Sequence, residues 1–122
     1  VKRSASGVLG NDVEVYSWKT TNLHGRGEVW PMASGADFNP LISRHVENAR
    51  ARCPGDFAAV PTEQSATRAA YEIACVTQAG NSSASIFFYQ DKGKFVAISH
   101  ETAAEDMDIA MDARDRVAAK VR

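Results

Sequence analysis

An α+β domain is predicted from this sequence. The expected form is an antiparallel meander of about five to six strands, with one helix inserted after the first hairpin and a long C-terminal helix packed on the sheet. Three observations carry the prediction. Two segments place apolar residues at helical spacing. The chain around them is β-rich and punctuated by short turn sequences. Finally, Cys53 falls at the end of a helix-like stretch and Cys75 inside a strand-like one, which puts both on apolar faces that share a core.

Residues 1–12 carry Ser, Gly and charge with little pattern and are expected to form a flexible N-terminal arm. Residues 13–122 are then a single α+β domain, an ordinary size for one core. Val13 to Trp18 reads as a strand because its residues are β-branched, aromatic and alternating. The glycines of 22–27 mark a loop. Glu28-Val29-Trp30 starts a second strand that Pro31 stops, since proline cannot donate to a sheet ladder.

Asn39 suits a helix N-cap and Pro40 the first helical position, where a missing N–H costs nothing. Ile42, Val46, Ala49 and Cys53 then form one stripe. His45 lies beside that stripe. Pro54-Gly55 ends the helix, with Arg50 and Arg52 in its last turn, where cations suit the negative helix end.

Asp56 to Val60 reads as a short strand bounded by Pro61. Ala69 to Val76 is another, with Tyr71, Ile73 and Cys75 on one face by period 2. Gly80-Asn81 is a turn, 85–89 (SIFFY) the most apolar strand, and Asp91-Lys92-Gly93 a tight connection into Lys94–Ser99. In the last helix, Thr102 and Glu105 have capping-box spacing. Ala103, Met107, Ala110, Met111, Val117, Ala118 and Val121 make its apolar stripe. Acids crowd its start and bases its end, matching the helix dipole.

With 44% hydrophobic residues, 24% charged residues and a net charge of −1, no overall field favours nucleic acid, and no apolar run reaches the ~20 residues of a membrane span. Two cysteines are too few for a disulfide scaffold and the right number for one staple, so Cys53–Cys75 is expected as a disulfide of a periplasmic or secreted protein. A catalytic cysteine is disfavoured, because a helix C-terminus opposes a thiolate. Glu101, Glu105, Asp108 and Asp112 recur along one helical face, which reads as solvated rather than as a calcium site.

The 85–89 strand is apolar on both faces, whereas a one-sided antiparallel sheet alternates. Either both faces are covered or one is used. The leading expectation is therefore a non-enzymatic binding or accessory domain. It would engage a partner protein or small apolar ligand through an aromatic sheet face of Tyr16, Trp18, Phe87 and Tyr89. No cofactor is expected. The first alternative is a small enzyme with His100 and Glu101 as acid/base residues in a cavity between sheet and C-terminal helix. The second is a metal-binding accessory protein using His100 and nearby carboxylates.

Overall fold

A computed structural model describes residues 2–7, 10–31, 39–91 and 93–120 of the protein, with side chains from residue 14 onward. Val121 and Lys92, assigned above to a helix stripe and a turn, lie outside the described residues. Among the described residues seven strands form one antiparallel sheet: β1 (Lys2–Gly7), β2 (Gly10–Lys19), β3 (His24–Pro31), β4 (Asp56–Gln64), β5 (Arg68–Thr77), β6 (Gly80–Asp91) and β7 (Lys94–Ala103). The helices are α1 (Asn39–Arg52), between β3 and β4, and α2 (Met107–Ala118) at the C-terminal end. The architecture is the α+β fold expected, with one strand more. That strand is β1, an edge strand paired with β2 from within the stretch read as an arm.

The strand order is β1-β2-β3-β7-β6-β5-β4. Two meanders are therefore zipped together where β3 pairs with β7, and α1 carries the chain from the middle of the sheet to its far edge. β4 runs past Pro61 instead of ending there. It can do so because it is an edge strand and its register shifts between Pro61 and Glu63, so the missing N–H breaks no ladder bond that the sheet needs. The β5–β6 turn falls on residues 78–79 rather than on Gly80-Asn81. Gly80 opens β6 with a positive φ of 149°, and its N–H is accepted by Thr77 Oγ1.

Each helix covers one sheet face. The α1 face buries Ile42 and Val46 against Val15, Trp30, Ile73, Ile86, Phe88 and Phe95. His45, expected beside the buried stripe, is itself buried. On the opposite face α2 packs over β6 and β7. It is pinned by Arg114, whose Nη1 sits 2.6 Å from Glu72 of β5. Fully buried Ala110 lets α2 approach closely, while Met107 and Met111 are half-buried. Double coverage explains why the β6 segment fails to alternate: Ile86 and Phe88 face α1, and Ser85 and Phe87 face α2.

The capping box does not form. Thr102 stays in β7, buried opposite Ser83. A single 3₁₀ turn, Ala104–Asp106, intervenes, and Asp106 precedes α2 without a side-chain cap. Sheet pairing of Thr102 outweighs a local cap worth about 1 kcal/mol. Glu101, Glu105, Asp108 and Asp112 are all exposed, as a solvated face requires, and Asp112 pairs with Arg116.

Cys53 and Cys75 are bonded, with Cα atoms 5.9 Å apart. The bond joins the residue after α1 to the C-terminal part of β5 across a sequence separation of 22. Chain-entropy arguments give roughly 3 kcal/mol for a loop of that size. Reduction is therefore expected to lower the urea midpoint by that equivalent. Intact mass after alkylation should change only when reductant is present, and alkylation without reductant would refute the pairing.

Candidate functional site

A trough lies on the α1 face, and it exists because the sequence puts small residues there. Ser82 and Ala84 on β6 and Ala97 and Ser99 on β7 share the face that elsewhere carries Phe88 and Phe95, so the sheet floor drops away. One wall is α1, through His45, Ala49 and Arg52. The disulfide closes the end where α1 meets β5, Ile73 and Ile86 add apolar floor, and Arg26, Glu28 and Glu101 bound the far side. The cavity measures about 290 Å³, close to the lower end, ~300 Å³, of small-molecule sites.

Its deepest feature is a charged cluster. Glu28, in the middle of β3, is only 1% exposed. Arg26 Nη2, two residues earlier on the same strand face, donates to Glu28 Oε2 at 3.1 Å, and the Arg26 side chain is 41% exposed. His45 Nε2 approaches Glu28 Oε1 at 3.2 Å from α1. A carboxylate can only accept, so Nε2 carries a proton, and the neutral tautomer compatible with this contact is the one whose lone pair is on Nδ1. That Nδ1 is buried with no hydrogen-bond partner among the described residues. The ring is wedged edge-on between Trp30 and Phe88. Burying a carboxylate costs several kcal/mol unless it is paired, and a hydrophobic isostere often does as well for stability. Such clusters concentrate at functional sites.

Sequence reading missed Glu28 and His45 as a pair. They are separated by 17 positions and an intervening connection. The available signal was a Glu on the inward-facing register of a predicted strand, where charge is rare.

Tyr16, Trp18, Phe87 and Tyr89 lie on the sheet face toward α2. Tyr16 pairs across to Gly27, Gly27 to Ile98 and Ile98 to Phe87. That row spans four strands, so Tyr16 and Phe87 are not neighbours. Phe87 is 1% exposed, with the Arg68 guanidinium 5.1 Å from its ring centre. Tyr89 is half-buried, and its ring centre is 5.6 Å from that of Phe87. Burial, followed by the Asp91 charge, raises the Tyr89 pKa above its ordinary value. Trp18 lies flat over Gly25, where an added Cβ would meet its ring at 2.0 Å, and it touches His100 edge-on.

His100 and Glu101 are not brought together. Consecutive residues of a strand point to opposite faces, so Glu101 borders the trough while His100 is buried on the α2 face. Among the described residues no three His, Cys, Asp or Glu side chains gather as metal ligands. No described helix is long and apolar enough to cross a membrane.

Burial holds the His100 pKa below 6.5. Its surroundings are Trp18, Gly25, Ser85 and Thr102, with Glu72 one strand beyond Ser85 and Arg114 above Glu72 on α2. His100 Nδ1 has no partner there among the described residues. With its pKa lowered on folding, the unfolded chain binds the proton more tightly. Stability is then full above pH 6.5 and falls as pH drops below it. Melting temperature is expected to fall between pH 7 and 5, and His100→Gln should flatten that fall. An unchanged slope in this variant would refute the assignment to His100.

No protein-family model matches this sequence, and no curated protein sequence matches it. The fold is similar to the crystal structure of PA94 from Pseudomonas aeruginosa, described as a protein of unknown function and candidate regulator. The TM-score is 0.52 at 15% sequence identity, over 87% of this chain and 78% of that one. At that identity the likeness is one of fold.

Proposed function

We propose that this protein is an exported small-molecule-binding domain whose ligand occupies the trough between α1 and the sheet. The observation that carries this reading is the Arg26–Glu28–His45 cluster beside a concave floor of small residues. A domain selected for stability alone would fill that floor and replace the buried charges with apolar side chains. The disulfide supports export, since such bonds persist in oxidising compartments. The trough replaces the aromatic face as the preferred site because Phe87 is packed inside and only Tyr16, Trp18 and Tyr89 keep partial exposure.

Amide chemical-shift mapping with a small-molecule fragment set tests this. Shifts are expected at Ala49, Ser82, Ala84 and Ser99, and Ala84→Leu, which fills the trough, should abolish them. Shifts gathered on Tyr16, Trp18 and Tyr89 would restore the aromatic face instead.

A second reading is acid/base chemistry in the same trough. It is favoured by the tautomer that Glu28 imposes on His45, which leaves Nδ1 as a base. Turnover of a bound ligand that is lost in His45→Gln, with binding retained, would establish it.

A further inference from the structure

The charges around the trough divide into a closed set and an open set. Arg26 and Glu28 neutralise each other, and His45 spends its N–H on the same carboxylate. That leaves Arg52 and Glu101, both exposed, both bordering the cavity, and neither with an ion-pair partner among the described residues. They have opposite sign and stand on opposite sides. Arg52 immediately precedes Cys53, which is bonded to Cys75 of β5. Glu101 is on β7, and Ala84 of β6 pairs with Glu101 on one side and Ile73 of β5 on the other. β7 and β5 are therefore two strand spacings, about 10 Å, apart, with Glu101 on the first and Arg52 of α1 tied to the second through the neighbouring Cys53–Cys75 bond. Between them lies the hydroxyl of Ser82, with Ala84, Ile86 and Ile73 as an apolar floor.

A ligand with one charge would leave the other side of this trough facing solvent or a like charge. A ligand with both fits. We infer that the trough takes a small zwitterion of the α-amino-acid class, its carboxylate toward Arg52, its ammonium toward Glu101 and an aliphatic side chain on Ala84, Ile86 and Ile73. This rests on the trough being the binding site. Arginine suits the carboxylate end because its planar fork can take both oxygens. The small cavity favours a single amino acid over a long peptide.

Three matched probes decide it by calorimetry: leucine, 4-methylpentanoate, which lacks the ammonium, and 3-methylbutylamine, which lacks the carboxylate. Leucine is expected to bind, and each truncated probe to bind roughly tenfold more weakly, the loss of one charge-assisted hydrogen bond. Arg52→Gln should bring leucine down to the level of the amine and leave the amine unaffected. Glu101→Gln should bring leucine down to the level of the acid. Both residues are exposed, so the melting temperature should hold in each variant. Equal binding of all three probes, tightest binding of a singly charged one, or no binding of leucine would overturn the zwitterion assignment. If a singly charged probe wins and Ala84→Leu abolishes its binding, the trough stands and only the ligand class falls. Leucine binding that survives Ala84→Leu would overturn the trough itself.

Discussion

Phe87→Ala is expected to destabilise the protein by about 3–5 kcal/mol, the usual cost of deleting a buried phenyl ring. The ring is 1% exposed, lies beneath the α2 layer and holds Arg68 over one side. Partial collapse of α2 onto the space would place the loss toward the lower figure, because the helix approaches through Ala110 and has room to settle. Tyr89→Ser, two residues along the same strand face, should cost far less, since Tyr89 is half-buried at the margin of α2. Urea unfolding of both variants measures the contrast. A Phe87→Ala loss below about 1 kcal/mol, the range of surface changes, would mean that the α2 face opens in solution.

The Phe87 case shows where sequence reasoning stops. Period 2 puts Tyr16 with Trp18 on one face of β2 and Phe87 with Tyr89 on one face of β6, because alternation is a local property of the strand. Whether that face is open depends on where α2 docks, and nothing in residues 85–89 encodes it. The first helix was legible for the same local reason: Asn39-Pro40 starts it and Pro54-Gly55 ends it, so its bounds need no tertiary information. The start of α2 was not. The Thr102/Glu105 pattern is a valid local signal, yet Thr102 belongs to a strand whose partner, Ser83, lies on the preceding strand. Cys53 and Cys75 were legible because each lies on an apolar stripe and each has only the other to pair with.

The trough was the least legible feature. Its floor depends on β6 and β7 presenting Ser82, Ala84, Ala97 and Ser99 side by side, and its wall on α1 crossing the sheet. The second condition follows from β3 pairing with β7 rather than with its successor in sequence. Each small residue is unremarkable alone, and only the register makes them a cavity. His45 illustrates the same point: its helix position predicts a flank, and burial arises because Glu28 on β3 is there to receive its N–H.

Arg26→Ala should cost about 3 kcal/mol, while the double variant Arg26→Met, Glu28→Leu should recover most of that loss. Removing Arg26 takes the guanidinium away from a 1% exposed carboxylate that His45 also approaches at 3.2 Å. Breaking one partner of a buried pair typically costs 3–5 kcal/mol. Arg26 is 41% exposed, so solvent screens its attraction and sets the lower figure. Replacing both charged partners removes the buried carboxylate and adds apolar contact to Ala97 and the α1 side, at the cost of taking the acceptor from the His45 N–H, about 1 kcal/mol. Unfolding midpoints of the wild type, the single variant and the double variant form the test. Recovery by the double variant, together with loss of ligand-induced amide shifts in the trough, would mean that the charges are kept for what they bind. A double variant as unstable as the single one would make the cluster a structural anchor of β3 to α1, and would remove the main support for the trough as the functional site.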